Sequence, residues 1–481
     1  MKIPPGRLGQ SGQARGGEAA GDPLECACHG LILTATGLVA GLLLTPFSAW
    51  GGGFQVPTYC VKCQGSRNAG AAATAETPST LFFNAAGLSR LAERELELGL
   101  NLALLNVDFE DKGSTNPFAD QAQGPVSTRG DASVLITNLY LSLPGPGDWS
   151  FGFGIHSPYG LTTDYPRGWV GRYHGVHSEV ATVDLNPALA YRLDPRLSVG
   201  AGLDLVYGKT ELTNAVDFGS LLSGQLGGPV PELGITPGNP AADGYSVLKG
   251  DDWALGWNLG ILFEPSPQTR VGLGYRSKVD LDLAGESRVE VPSHLTALTG
   301  GQLRSEIRDV RARLTLPASL RLGVHHDLGA RWSLMAGAEW TDWSEFREIR
   351  VRYRDGEPDF VDPQGWTDAW RFSIGAEFRY ARRWSFRTGF EYDQSPIPKL
   401  TKGPRVTEGD LRWLALGASY LATDSLTLDI AYNHAFIGDY SIDLQEVTTP
   451  QASGGLLPGN RLAGDYSNSA DILSLGARWA F

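Results

Sequence analysis

The chain has 481 residues, of which 42% are hydrophobic and 10% aromatic, with 61 glycines, 29 prolines and only four cysteines. A net charge of −13 argues against nucleic acid as a partner, since phosphate binding needs a basic surface, and the apolar content is too high for a disordered chain. No stretch after residue 50 approaches the roughly twenty consecutive apolar residues of a membrane helix, which excludes a helical transporter.

The first 51 residues differ in kind from the rest. Between Gly30 and Leu44 lies an apolar run too short to span a bilayer, followed by Thr45-Pro46 and the small residues Ser48-Ala49-Trp50-Gly51. This reads as the apolar core of an export signal with a cleavage site after Gly51, and an N-terminal anchor helix is the competing reading. The prefix holds three basic and three acidic residues, so the mature chain keeps its charge of −13. Export places the chain in an oxidising compartment. There, Cys60-Val61-Lys62-Cys63 fits a small disulfide loop better than a redox motif or half a zinc site, because no second Cys or His pair at ligand spacing follows.

Residues 52–94 are rich in Gly and Ala and carry no long apolar run. From about residue 95 the sequence alternates with a period of two. Trp253, Leu255, Trp257, Leu259, Ile261 and Phe263 alternate with Ala254, Gly256, Asn258, Gly260 and Leu262. Trp370, Phe372, Ile374, Ala376 and Phe378 alternate with Arg371, Ser373, Gly375 and Glu377. A soluble sandwich also alternates, but these faces are long, end in Trp and Tyr, and oppose a face of Gly, Arg, Glu and Asp. Aromatic girdles and a polar lumen belong to a wide transmembrane barrel.

About fourteen strands follow, near 95–109, 132–143, 149–157, 171–193, 196–213, 251–264, 269–283, 305–326, 331–344, 367–380, 383–393, 410–421, 424–436 and 468–481. Short turns such as Pro144-Gly145-Pro146-Gly147 alternate with long loops near 110–131, 158–170, 214–250, 284–304, 345–366, 394–409 and 437–467. That alternation is how an outer-membrane barrel is built, and the final strand ends in Phe481 as such barrels do. The expected architecture is therefore all-β: an export prefix over 1–51, a hatch over 52–94, and a 14-stranded antiparallel transmembrane β-barrel over 95–481. Irregular backbone is excluded from lipid, so the hatch is expected to plug the lumen, with a periplasmic tail as the alternative.

Ordered motifs carry a resemblance across the mature chain. Gly53-Phe54-Gln55, Asn68-Ala69-Gly70-Ala71 and Ser79-Thr80-Leu81-Phe82-Phe83-Asn84 lie in the hatch segment. Ser157-Pro158-Tyr159-Gly160-Leu161-Thr162-Thr163 follows the third strand, and Trp384 to Phe390 runs into Asp393-Gln394-Ser395-Pro396. In these motifs the chain resembles the FadL/TodX family of outer-membrane transporters of long-chain fatty acids and hydrophobic compounds. The resemblance implies a barrel in outer-membrane lipid, a hydrophobic small-molecule ligand and lateral exit where strand 3 kinks; a closed barrel with its own hatch needs no partner, so a monomer is expected, with no cofactor or metal. It further implies that Phe54 reaches the ligand pocket and that Asn84, Asp393, Tyr159 and Gly160 belong to the hatch and gate. The family's Asn-Pro-Ala reads Asn84-Ala85-Ala86 here, and Asn214 and a position near Asp362 stand where members carry carboxylate-binding basic residues. Lys209 and Arg276 are the nearby basic candidates. Phe218 and Leu222, on the apolar loop 214–250, are further substrate-binding candidates, because apolar side chains on a water-facing loop are costly without a ligand or partner.

Two other classes compete with uptake. A barrel lipase needs a nucleophile motif, and none of His156, His174, His177, His294, His325, His326 or His434 sits in one, so the chain reads as a non-enzyme. A general porin or surface adhesin needs no plug.

Overall fold

The computed structural model describes residues 52–117, 122–445, 449–450, 456–457 and 459–481; the expected export prefix over 1–51, with its expected cleavage site, lies outside them. Fourteen antiparallel strands close into a barrel. In chain order they are β1 (Glu95–Asp111), β2 (Ala132–Pro144), β3 (Trp149–His156, continued by Gly160–Asp164), β4 (His177–Asp194) and β5 (Leu197–Asp217). Next come β6 (Asp243–Ser266), β7 (Thr269–Arg276 with Val279–Glu290), β8 (Glu306–Leu316 with Ser319–Leu328) and β9 (Trp332–Thr341). The last five are β10 (Ala369–Ala381), β11 (Trp384–Asp393), β12 (Leu411–Leu421), β13 (Leu426–Ile437) and β14 (Arg461–Ala480). Neighbours in sequence pair around the ring except at the upper halves of β2 and β3, and β14 pairs β1 from Glu95↔Ala480 to Asp111↔Gly464, which closes the sheet on itself.

The alternation places each face as expected. Trp253, Leu255, Trp257, Leu259, Ile261 and Phe263 are all exposed, as are Trp370, Phe372 and Ile374. Arg371, Glu377, Arg387 and Glu391 are buried on the other face. Beside the short turns the pairs Trp332–Phe378, Trp384–Tyr420 and Trp149–Tyr191 have ring centroids 4.6–4.7 Å apart, forming an aromatic belt at one membrane boundary.

On the long-loop side the strands run further than the alternation indicates. β6 begins at Asp243 rather than near 251, β7 continues to Glu290, and β14 begins at Arg461 rather than near 468. Above the bilayer both faces meet water or loop, so the pairing continues while the apolar period fades. The opposite correction applies to β4, which starts at His177 and not at 171, because residues 171–175 turn.

Residues 52–91 fill the barrel. They form three single-turn helices, Val61–Gln64, Ala71–Thr74 and Thr80–Phe83, and a 3₁₀ turn, Ala85–Arg90. Cys60 and Cys63 form a disulfide. Glycines on the strands' inner face admit this backbone. A Cβ at Gly272 would lie 1.8 Å from the Ala72 carbonyl oxygen, one at Gly200 2.3 Å from the Ala86 nitrogen, and one at Gly389 2.3 Å from the Ser66 backbone. These contacts come from strands on opposite sides of the ring, so the glycines of the lumen face form a seat for the hatch.

Candidate functional site

The site begins where β3 breaks. Pro158 has no N–H to give a ladder, and β3 stops at His156 and resumes at Gly160. The lower piece pairs β2 only from Leu139 to Pro144, while Ala132–Asn138 of β2 pairs only β1 and Gly160–Asp164 pairs only β4. Among the described residues no ladder joins the upper halves of β2 and β3.

The hatch's N-terminal leg runs across this break. Val56 N–H donates to the Pro158 carbonyl at 3.0 Å, Gly160 N–H donates to the Phe54 carbonyl at 2.8 Å, and Gln55 forms an antiparallel bridge with Tyr159. Two residues on, the Thr58 carbonyl accepts from Asn138 at 2.5 Å and Asn101 at 3.3 Å. The leg is thus tied to both sides of the gap.

Phe54 enters an aromatic nest. Its ring centroid lies 4.8 Å from Trp343, 5.5 Å from Phe346, 5.8 Å from Trp366 and 5.9 Å from Tyr159, mostly edge-on. Leu161, Val180, Val206, Leu281, Leu316 and Ile397 belong to the same buried apolar cluster. The Tyr159 hydroxyl donates to the Pro317 carbonyl at 3.0 Å, which fixes the kink to β8.

Below the nest is a charged hub. Gly52 N–H donates to Asp393 at 2.9 Å and Gly53 N–H to Glu408 at 2.7 Å. Asp393 pairs with Arg371 at 2.9 Å, and Arg371 also reaches Glu339 at 3.3 Å and Glu391 at 3.4 Å. Glu339 accepts from Gln55 at 2.9 Å and pairs with Arg321 at 2.8 Å. A buried carboxylate needs such donors, and here the leg's own amides supply several of them.

Phe54, Tyr159, Gly160 and Asp393 therefore converge, as the resemblance implies. The other candidates do not join them. Asn84 donates to the Ala72 carbonyl at 2.7 Å and the Ile261 carbonyl at 2.9 Å, and its Oδ1 accepts the Ala86 N–H at 3.1 Å. It caps the 3₁₀ turn and ties the hatch to β6, with no bond to Asp393. Phe218 and Leu222 lie on a helix, Phe218–Leu226, and pack with Ile235, Ala242 and Leu295 in a separate cluster. That cluster is the loop's own core, shared with the helix Ser293–Leu298, and it satisfies their burial without a ligand. Lys209 is paired with Glu179 at 2.6 Å, and Arg276 is held by Asp184 at 2.9 Å and Asp204 at 3.0 Å.

Sequence reading missed Trp343, Trp366, Glu408 and Arg67. The first three fall at the edge of or within stretches read as external loops, yet these stretches fold inward. An indole pair in a loop without periodicity is the one trace they leave.

A family model described as outer membrane protein transport protein (OMPP1/FadL/TodX) matches residues 42–481. The chain belongs to this family. A long-chain fatty acid transport protein of Escherichia coli O6:H1 is 27% identical over 410 residues, covering 84% of this chain and 91% of the relative. A solved FadL homologue of Pseudomonas aeruginosa superposes with a TM-score of 0.78 at 23% identity, covering 89% of this chain and all of that one. The toluene transporter TodX of Pseudomonas putida superposes at 0.61 with 19% identity, covering 84% and 94%. This FadL/TodX barrel is an outer-membrane transport protein, and its inner leg and β3 break are the parts on which a transport cycle would act.

Proposed function

We propose that the barrel carries long-chain fatty acids or other hydrophobic compounds inward by passive, ligand-gated diffusion as a monomer. The observation that carries this reading is the leg: Phe54 sits in an apolar nest while its flanking backbone closes the β3 break. An apolar ligand offers Trp343 and Trp366 the same chemistry as the Phe54 ring, so it competes for the nest on equal terms. Once Phe54 leaves, the bonds of Val56 and Gly160 loosen with it, and the unpaired stretch between β2 and β3 opens toward lipid. A monomer suffices because β14 closes the ring on β1 and the chain's own leg covers the gap between β2 and β3.

The family relatives favour two substrate classes, fatty acids and monoaromatic hydrocarbons, since their names carry both. The test is uptake of labelled oleate and of labelled toluene by cells whose own transporters of this kind are deleted. Wild-type protein should restore uptake of at least one. Phe54→Ala should weaken ligand binding to purified protein, and Asp393→Ala should lower uptake at equal surface expression. Wild-type uptake by both variants would remove the leg from the mechanism.

A further inference from the structure

The outer face of β4 and β5 carries a group of side chains that the uptake reading leaves unused. Leu203 and Leu205 are exposed on β5, and Tyr207, Lys209, Glu211 and Thr213 continue their alternation upward. Tyr207 stands opposite Trp253 of β6 with ring centroids 5.1 Å apart, an aromatic pair that marks the outer boundary of the bilayer. Above this pair the register sets out two rows. In one, Glu179 lies directly opposite Glu211, and Glu211 lies opposite Lys249. In the next, His177 lies between Asp164 of β3 and Thr213. The side chains of His177 and Glu179 are 27% and 11% exposed, so the group is sheltered yet open to the medium.

Among the described residues, one group of side chains brings imidazole and carboxylate together at metal-ligand spacing: one atom each of His177, Glu179 and Glu211 lie within 4.8 Å of one another. Three features of this group favour a cation. Carboxylates directly opposite each other across an antiparallel pair repel. Lys209 meets Glu179 at 2.6 Å and Lys249 meets Glu211 at 3.0 Å. Yet Asp164, and Asp251 opposite Lys209, bring the carboxylates to four against two ammonium groups. The imidazole, finally, stands between two carboxylates at distances too long for a hydrogen bond to either. Its Nδ1 is 3.6 Å from Asp164 and its Nε2 is 3.9 Å from Glu179. Metal-bound histidines are oriented in this way, one nitrogen toward the ion and the other toward a carboxylate.

We propose that His177, Glu179 and Glu211 form a binding site for a divalent transition-metal ion such as zinc on the outer face of the barrel, with Asp164 facing the second ring nitrogen of His177. One imidazole nitrogen and two carboxylate oxygens are donors that zinc accepts, with water completing the tetrahedron. Magnesium, which binds through oxygen alone and dehydrates reluctantly, is poorly matched. The ion takes the place of the two ammonium groups, whose flexible stems let them swing aside. Because Asp164 ends the upper piece of β3, the site ties that piece to β4 and β5 beside the break. The sequence reading expects no metal because the ligands lie on two strands: His177 and Glu179 share one, and only the register brings Glu211 beside them.

The test is a calorimetric titration with zinc of the full barrel with its hatch, free of any affinity tag and of chelators, in uncharged detergent at neutral pH. Wild-type protein should bind one zinc ion. His177→Ala and Glu211→Gln should each weaken it about tenfold or more, with heat-modifiable migration as in wild type. Lys209→Met removes the ion's competitor at Glu179 and should tighten zinc. His434→Ala takes away another outward histidine, 2.8 Å from Asp471, and should leave zinc affinity as it was. Excess magnesium should not displace the ion. The assignment is overturned if the wild type binds no zinc, if His177→Ala binds it as tightly as wild type, or if Lys209→Met fails to tighten it. It is also overturned if His434→Ala loses as much as His177→Ala, or if magnesium displaces zinc, either of which would reveal a diffuse counter-ion layer on an acidic surface. None of these outcomes touches the leg, so the uptake reading stands or falls separately.

Discussion

The leg and the body of the hatch are held by different forces. The body, from about residue 59 to 91, is fastened by buried charge and backbone contact. Arg67 is fully enclosed, 3.0 Å from Glu391 with its guanidinium 3.8 Å from the centroid of the Trp413 ring. Lys62 pairs with Glu76 at 2.6 Å, and Glu76 with Arg270 at 2.9 Å. The leg, from 52 to 58, has no charged side chain; its own amides and one aromatic ring hold it. An apolar molecule can replace a phenyl ring in an aromatic nest but cannot replace a buried ion pair. The difference predicts that ligand moves the leg while the body stays seated.

The largest effect that would sharpen this contrast comes from the body. Arg67→Ala strips Glu391 of its closest partner and leaves a buried carboxylate shared with Arg371 alone, a change that costs about 3–5 kcal/mol. Arg67 also adopts φ of 51°, uncommon for a non-glycine residue, and the enclosed pair holds it there. Denaturant unfolding in detergent should show the loss, with the exposed Arg331→Ala close to wild type. Equal midpoints for the two variants would mean that the body is not held as described.

The glycine seat comes next. Gly389→Val puts a side chain where the Ser66 carbonyl carbon and oxygen stand 2.3 Å from the first added carbon. The obstructing atoms are hatch backbone and not the end of a flexible side chain, so the hatch segment itself must shift, at about 1–3 kcal/mol. Single-channel conductance to small ions should rise above the low value of the plugged wild type. Gly168→Ala, with nothing within 4 Å of the added carbon, should leave it low. A wild type that already conducts like an open porin would break the comparison at its root.

Most of the barrel was legible because lipid imposes a strict period. Trp253 to Phe263 must alternate to bury nothing polar in the bilayer, and their register follows from that. The hatch was legible only as a remainder: residues 52–94 had no strand slot, and their helices are single turns without a periodic face. Within the site, Phe54, Tyr159, Gly160 and Asp393 were found through motif resemblance. Asn84 was read only as part of the hatch motif, and its partners, the carbonyls of Ala72 and Ile261, are set by the seating of residues 52–91 against β6, which no local pattern encodes. Phe218 and Leu222 misled because an apolar loop with its own core looks, in sequence, like an apolar loop awaiting a ligand. Trp343 and Trp366 lie at the edge of or within stretches whose inward fold depends on long-range packing.

The smallest effect concerns how the leg is anchored. Glu408 accepts the Gly53 N–H at 2.7 Å, and its burial holds the carboxyl well above the usual carboxylate range. The Gly53 bond opposes that rise, the Asp393 charge adds to it, and Lys402 and the Ser395 hydroxyl oppose it. An acid whose value is raised on folding keeps its proton where the unfolded chain has lost it. Stability is then fullest below the ordinary carboxylate range and falls as pH rises through it, by at most about 1.4 kcal/mol per pH unit. Glu408→Gln mimics the protonated acid, its amide oxygen still able to accept from Gly53, and removes the titration. Thermal unfolding of the two proteins should coincide at acidic pH and separate on the alkaline side, with the variant the more stable. Curves that run parallel over the whole range would show that Glu408 is not the proton-dependent anchor of the leg.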